Sequence, residues 1–162
     1  MPDSSEPLGA PEPFRANDAF PRGRFGLPMS LLAAVGLAVA TYLTWQHVAG
    51  EIPPCGPVRG CETVLTSPYA TVAGVPVALA GALMSAISLC GALAWWLRAD
   101  RRGLMVAYFA GLASLAALAY FSFLEVAVIR AVCAWCVTYL VTVLAGWVFA
   151  LAAYRSTAEA VG

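Results

Sequence analysis

The sequence has few charged residues and no lysine. Only 11% of its 162 residues are charged and 61% are hydrophobic, whereas a soluble domain carries about 25% charged residues. The nine basic residues are all arginine, and nine acidic residues bring the formal net charge to zero. The arginines form no single patch, so nothing indicates nucleic-acid binding. This composition is typical of a membrane protein.

Charged residues are almost completely missing from four long windows. These are Leu27–Val48, Pro76–Leu97, Leu104–Ile129 and Ala131–Ala153, and Glu125 is the one acid within them. Each window exceeds the ~20 residues that a helix needs to cross ~30 Å of hydrocarbon. Backbone groups in lipid must be satisfied within their own segment. We therefore predict an all-α membrane protein, a bundle of four transmembrane helices. A soluble domain of this size could not bury four such helices.

The two ends of the chain differ from these windows. Residues 1–26 are rich in proline and charge and lack an apolar pattern, so we predict a disordered cytoplasmic tail. Residues 27–153 form the predicted transmembrane domain, and residues 154–162 form a second cytoplasmic tail. Ala38–Ala40 matches a signal-peptide cleavage site, but the preceding tail is long and acidic and the apolar run continues past it. We therefore expect the first helix to be retained.

The arginine distribution predicts the orientation of the bundle. Cytoplasmic segments next to a membrane carry an excess of basic residues. With the N-terminus in the cytoplasm, seven arginines lie inside, and only Arg59 and Arg130 lie outside. The 49–75 loop and the 129–132 turn then face outward, toward an oxidising compartment.

Four of the five cysteines lie on this predicted outer side. Cys55 and Cys61 lie in the first loop, and Cys133 and Cys136 begin the fourth helix. A helix N-terminus stabilises a thiolate, which is the nucleophile of disulfide exchange. Two pairs on one face therefore favour a relay from a soluble protein to a lipid-soluble two-electron acceptor, a quinone. Cys90, within the second helix, is expected to be a packing residue.

The cysteine pattern leaves other interpretations open. The four residues could form two structural disulfides that staple the outer loops of a transporter subunit or an assembly factor. They could also bind zinc, since four thiolates are a zinc ligand set. However, exported thiols tend to oxidise and no hydrophilic zinc-ribbon surroundings are present. We therefore predict no metal site.

Four stretches carry a resemblance to a known family. They are YLTWQHV (42–48), CGPVRGC (55–61), ETVLTSPYATVAGVPVALAG (62–81) and FLEVAVIRAVCAWC (123–136). In this order they resemble the bacterial branch of the vitamin K epoxide reductase family, over about residues 27–153. The bacterial quinone-linked thiol oxidase DsbB also has four helices and two cysteine pairs, but its C-x-x-C lies in the first outer loop. Here the C-x-x-C follows the third helix, which favours the vitamin K epoxide reductase arrangement.

The resemblance implies a role for each cysteine. Cys55 would exchange with a soluble, DsbA-like partner of thioredoxin fold. Cys61 would pass electrons to Cys133 through an interloop disulfide, and Cys136 would face and reduce the quinone. The family likeness thus implies a quinone-dependent thiol oxidoreductase of the bacterial inner (plasma) membrane. It would draw menaquinone or ubiquinone from the membrane pool and support disulfide formation. Some relatives carry a fused thioredoxin-like domain, and because this chain ends at Gly162 we expect a separate partner protein.

The resemblance also implies a quinone pocket. Ser67 matches the family's loop serine near the quinone site. Tyr139 is expected to line the same pocket, although the pocket tyrosine of the animal enzymes lies one residue farther from the second cysteine. The pocket asparagine of those enzymes has no counterpart, since the chain's only asparagine is Asn17 in the tail. This argues against vitamin K epoxide as the substrate, and a strict vitamin K epoxide reductase is the alternative.

Two further residues are candidates for the pocket. Glu125 is an ionisable group within a predicted span, and such groups are often functional, so we consider it a possible proton relay. A pairing with Arg130 or interfacial water is the alternative. Trp135, between the inner cysteines, is expected to stack near the quinone. Polar and apolar residues mix over 63–74, which predicts a short interfacial helix or a lid over the bundle.

Overall fold

The structure, a computed structural model, describes residues 19–55 and 60–159. Its long helices form a four-membered ring in which each helix packs against two neighbours. In chain order the helices are α1 (Ala19–Ala49), the short α2 (Cys61–Leu65), α3 (Val77–Arg98), α4 (Arg101–Phe123) and α5 (Ala134–Glu159). A π-helical stretch, Leu124–Ile129, continues α4 toward α5.

In the part of the chain that the structure describes, four helices are long and apolar enough to cross a membrane. The spans are Gly23–Ala49, Val77–Arg98, Arg101–Ile129 and Ala134–Ala158. Their outward faces carry large apolar side chains, as lipid contact requires. The predicted four-helix membrane fold is therefore confirmed, and the chain is an integral membrane protein.

The helices extend beyond the predicted boundaries at both ends of the chain. Helix α1 begins at Ala19, so residues 19–26, which the sequence pattern assigns to the tail, are helical. Tertiary packing explains the difference, because Phe25 packs against the core of the bundle and orders the helix before its apolar window begins. Helix α5 continues to Glu159. The predicted disorder of residues 1–18 lies outside the described residues.

Close backbone contact joins α3 and α4. Only two residues connect them, and the Asp100 side chain caps α4 by accepting a hydrogen bond of 2.9 Å from the Arg102 N–H. A β-carbon on Gly91 would lie 2.6 Å from the Gly103 carbonyl oxygen, and one on Gly103 would lie 2.6 Å from the Gly91 oxygen. Glycine at both positions therefore lets the two backbones meet, which is a common device in membrane helix packing.

The connection between α1 and α3 covers one end of the bundle, which we call the cysteine end. After α2 the chain makes a 3-10 turn, Pro68–Ala70, and a minimal hairpin in which β1 (Thr71–Val72) pairs antiparallel with β2 (Val75–Pro76). The short helix α2 overlaps the start of the segment, 63–74, for which the sequence pattern predicts one. The start of α5 also lies at this end, so all four loop and interface cysteines come together here.

Candidate redox site

The two cysteine pairs differ in oxidation state. Cys55 and Cys61 form a disulfide with their Cα atoms 5.9 Å apart, whereas Cys133 and Cys136 are free thiols. Cys61 begins α2 and is completely buried, while Cys55 is half-buried. The exposed approach to the outer disulfide is therefore at Cys55. Because their sulfurs are bonded to each other, Cys55 and Cys61 are not available as the thiolate ligands that the zinc interpretation requires.

The two pairs share one buried cluster. Cys61 and Cys133 are both 0% exposed and pack with Val64 in a single contact group. Glycine at position 60 lets the first loop approach the backbone of Val132 closely, because a β-carbon at this position would collide with that backbone. The chain before α2 therefore lies directly against the chain before α5. This contact places the outer disulfide beside the inner thiols.

The inner pair is arranged by the first turn of α5. The backbone N–H of Cys136 donates to the sulfur of Cys133 over 3.4 Å. The pKa of Cys133 is lowered from 9.0 to about 7, chiefly by a hydrogen bond from the Cys136 thiol and also by the backbone N–H groups of Cys136 and Trp135. Burial and the nearby Glu125 carboxylate oppose this shift of the Cys133 pKa. Cys133 is thus prepared to react as a thiolate near neutral pH.

Glu125 lies in the π-helical stretch and is only 7% exposed. Its carboxylate oxygen Oε2 accepts a hydrogen bond from the Cys133 backbone N–H over 3.3 Å. The chain can return on itself in this way because Arg130, between the two residues, has a left-handed backbone with φ of 56°. The partner of Glu125 is therefore the inner-pair backbone rather than the Arg130 side chain, which is exposed.

An apolar cavity of about 340 Å³ occupies the half of the bundle near the cysteine end. All four long helices line it, and Leu65, Ser67 and Tyr69 from the connection above cover it. Cys136 lies on its wall. The polar or titratable side chains around this largely apolar space are few: His47, Ser67, Tyr69, Ser114, Ser122, Glu125, Cys136 and Tyr139.

Most of the predicted pocket residues lie around this cavity, but Trp135 does not. Its indole N–H donates to the Pro54 carbonyl oxygen over 3.1 Å, and its ring centroid lies 5.2 Å from that of Tyr42. Consecutive helical residues point about 100° apart, so Trp135 and Cys136 face different surroundings. The expectation that Trp135 stacks in the pocket is therefore wrong for this structure. The residue anchors the loop that carries Cys55.

The Tyr139 side chain reaches the cavity, but its hydroxyl is already engaged. This hydroxyl donates to the Gly81 carbonyl oxygen over 2.8 Å and lies 3.0 Å from the Ser85 Oγ, which can donate in return. Ser85 is 5% exposed. The tyrosine thus links α5 to α3. The sequence offers one signal for this contact, a hydroxyl at Ser85 one helical turn after Gly81.

A membrane-spanning bundle that brings two cysteine pairs beside an apolar cavity defines the class of membrane thiol oxidoreductases. A comparison with protein-family models matches residues 27–151 to the vitamin K epoxide reductase family, and the chain belongs to this family. A comparison with curated proteins finds no significant match. The family assignment makes the protein a redox enzyme whose relatives use electron carriers of the quinone type.

Proposed function

We propose that the protein is a quinone-dependent thiol oxidoreductase that reoxidises a DsbA-like protein of thioredoxin fold outside the cytoplasm. Electrons would pass from Cys55 and Cys61 to Cys133 and Cys136 and then to membrane quinone. The proposal also includes the orientation that the arginines predict, with both termini in the cytoplasm of a bacterial cell. One observation carries it: Cys61 and Cys133, from the two different pairs, are packed together in one fully buried cluster.

The outer pair accepts the partner's electrons in this proposal. A thiolate of the partner attacks the sulfur of Cys55, which is the less buried atom of the disulfide. The Cys55–Cys61 bond breaks, Cys61 leaves as a thiolate, and a mixed disulfide with the partner forms. The partner's second thiol then displaces Cys55. The partner leaves as a disulfide, and the outer pair holds two electrons as a dithiol.

Transfer to the inner pair follows from the packing of Cys61 against Cys133. With the inner pair oxidised, the Cys61 thiolate attacks the sulfur of Cys133, and Cys136 leaves. Cys55 then attacks Cys61 and releases Cys133, which restores the outer disulfide. The result has a Cys55–Cys61 bond and two free inner thiols, and this is the arrangement in the structure. The low pKa of Cys133 favours its release as a thiolate.

The cavity fits a quinone head group in size and chemistry. Its volume of about 340 Å³ lies at the lower end of the range of ligand pockets, about 300–1,000 Å³, and such pockets are mostly apolar with a few polar groups. Cys136 would face the ring, while Ser67 and Glu125 would supply polar contacts. When bound, a quinone supplies an acceptor for two electrons and two protons. The Cys133–Cys136 disulfide re-forms as the electron pair leaves.

The deciding experiment purifies the protein without oxygen and supplies a quinone together with a reduced DsbA-like partner. Quinol formation and loss of partner thiols are followed at the same time. We expect them to proceed in equal amounts, and menaquinone and ubiquinone analogues are compared side by side. If the cysteines merely staple the loops, the outer disulfide will resist mild reductant and will not turn over with quinone. That result would remove the proposal.

Two variants separate the roles of the pairs. Cys136→Ser is expected to abolish quinone reduction with any electron donor. Cys55→Ala is expected to stop oxidation of the protein partner while leaving some turnover with a small dithiol. Cys90→Ala is the matched control, because Cys90 is exposed on α3 and away from both pairs. Equal loss of turnover with both donors in Cys55→Ala would argue against an outer relay.

A further inference from the structure

A buried carboxyl group lies where the inner pair must lose a proton. Glu125 is 7% exposed, lines the same cavity as Cys136, and bonds to the Cys133 backbone. It occupies a π-helical stretch, a distortion that occurs frequently at functional sites. Burying a carboxylate within a membrane span costs free energy, and ionisable residues at such positions are often functional.

The reduced pair has one proton that blocks bond formation. The Cys136 thiol donates its hydrogen toward the Cys133 sulfur, and this contact is the main cause of the low Cys133 pKa of about 7. The two sulfurs cannot join while that hydrogen lies between them. An acceptor is therefore needed close to Cys136. Glu125 is the carboxyl group that bonds to the backbone of this pair and lines the same cavity as Cys136.

Other titratable groups face this region from the neighbouring elements. His47 on α1 and Tyr139 on α5 line the same cavity. The Tyr139 hydroxyl already donates to Gly81. Glu62 on α2 is exposed. Of these side chains, none has the hydrogen bond that Glu125 makes with the backbone of Cys133.

We propose that the Glu125 carboxylate accepts the proton of the Cys136 thiol as the Cys133–Cys136 disulfide forms. This proposal rests on the proposed function, which supplies an electron acceptor of the quinone class. In the step, the S–H bond of Cys136 breaks and the S–S bond forms with the Cys133 thiolate. The electron pair leaves to the acceptor, and the proton moves to the Glu125 carboxylate. Glu125 later releases it to the reduced acceptor or to water.

The test measures how fast the inner pair oxidises. Protein with reduced inner thiols is mixed with a short-chain quinone, quenched in acid, alkylated and analysed by mass spectrometry. Glu125→Gln keeps an oxygen for the Cys133 N–H but cannot take up the proton, and we expect oxidation about 100-fold slower. Glu125→Asp keeps a carboxyl and is expected to be faster than Glu125→Gln. Glu62→Gln, the same change at an exposed carboxyl, is expected to match wild type.

A second readout needs no quinone. Ultraviolet absorbance of the thiolate gives the titration midpoint of Cys133 in a Cys55→Ala/Cys61→Ala protein with reduced inner thiols. Glu125→Gln keeps an oxygen for the Cys133 N–H and removes a negative charge that raises the Cys133 pKa, so we expect the midpoint to stay the same or to fall. Slow oxidation of a pair whose Cys133 thiolate forms as readily as in wild type is a result that loss of a merely structural contact does not produce.

Several outcomes would overturn the role of Glu125. One is oxidation of Glu125→Gln at the wild-type rate, and another is equal rates for the aspartate and glutamine variants. If the glutamine variant does not fold, Glu125→Asp decides alone: slower oxidation with an unchanged Cys133 midpoint supports the proposal, and any other combination opposes it. Failure of the wild-type inner pair to react with quinone at all would instead defeat the proposed function.

Discussion

The indole N–H of Trp135 donates to the carbonyl oxygen of Pro54, 3.1 Å away, although the two residues are 81 positions apart in the chain. Trp135 stands between the inner cysteines, and Pro54 directly precedes the outer Cys55. This hydrogen bond and the packing of Gly60 against Val132 hold the chain before each outer cysteine against residues 132–135. The two redox pairs therefore form one connected unit.

Trp135→Phe is expected to loosen the loop at Cys55. The phenyl ring keeps much of the contact with Tyr42 but leaves the Pro54 oxygen without its donor, which costs about 1 kcal/mol. Hydrogen exchange is expected to speed up in residues 51–55, and the denaturation midpoint in detergent to fall slightly. Trp45→Phe is the control, since Trp45 is 72% exposed. Equal effects of the two changes would show that the hydrogen bond is unimportant.

Gly60→Ala is expected to separate the two cysteine pairs. The added β-carbon would collide with the Val132 backbone and push Cys61 away from Cys133. Misplacement of reacting atoms by about 1 Å can cost about 100-fold in rate, so partner-dependent turnover should fall by about that factor. Oxidation of the pre-reduced inner pair by quinone should change little.

Gly23→Ala is the control for this substitution, because a β-carbon at Gly23 meets nothing within 4 Å. Stopped-flow measurements with the partner and with quinone alone separate the two steps. A Gly60→Ala protein with full partner-dependent turnover would contradict the close transfer contact.

Cys133 is expected to titrate near neutral pH. Its pKa falls from 9.0 to about 7, chiefly through the hydrogen bond from the Cys136 thiol. Because the pKa of Cys133 is lower in the folded than in the unfolded protein, the Cys133 thiolate adds to the free energy of unfolding. This contribution is complete above pH 9.0 and is lost as the pH falls through about 7. The titration of Cys133 is followed by the ultraviolet absorbance of its thiolate, in a Cys55→Ala/Cys61→Ala protein with reduced inner thiols.

Removing the hydrogen-bond donor tests the cause of this shift. Cys136→Ala in the same background should move the Cys133 midpoint back toward the ordinary thiol value, and Cys90→Ala should leave it unchanged. An unaltered midpoint in the Cys136→Ala protein would show that the backbone N–H groups, rather than the neighbouring thiol, lower the Cys133 pKa.

Tyr139→Phe is expected to destabilise the bundle. The change leaves the Gly81 oxygen and the Ser85 hydroxyl without their partner inside the protein, which costs about 1–3 kcal/mol. Thermal unfolding in detergent measures this, with Tyr120→Phe as the exposed control. In combination with Ser85→Ala the two losses should not add, because both variants remove the same hydrogen bond. Simple additivity would contradict the link.

The membrane spans were predictable because lipid selects for hydrophobicity, a property of composition alone. The C-x-x-C at a helix start was visible for a similar reason, since it depends on local chain order. The extension of α1 to Ala19 was not, because it depends on Phe25 meeting a core built from other helices. The local sequence pattern therefore predicts that each long helix exists, and tertiary contacts decide where it begins and ends.

The side-chain directions within the site could not be predicted in the same way. The position of Trp135 between two cysteines suggested a place in the pocket, yet the rotation of α5 turns it toward Pro54. The contact of Glu125 with Cys133 depends on a π-helical stretch and a left-handed Arg130, which no periodicity reveals. Likewise, the partner of Tyr139 lies 54 positions away, on another helix.

The unequal burial of the outer disulfide affects how the protein behaves among other thiols. Cys61 and Cys133 are sealed from solvent, and Cys136 lies on the wall of an oily chamber, so of the four paired cysteines Cys55 is the one whose sulfur a docking protein can meet. Dissolved proteins consequently have one point of attack, whereas the inner couple is open to molecules small or apolar enough to enter the chamber. The rate of electron transfer through both cysteine pairs then depends on how well a partner protein docks over the sulfur of Cys55.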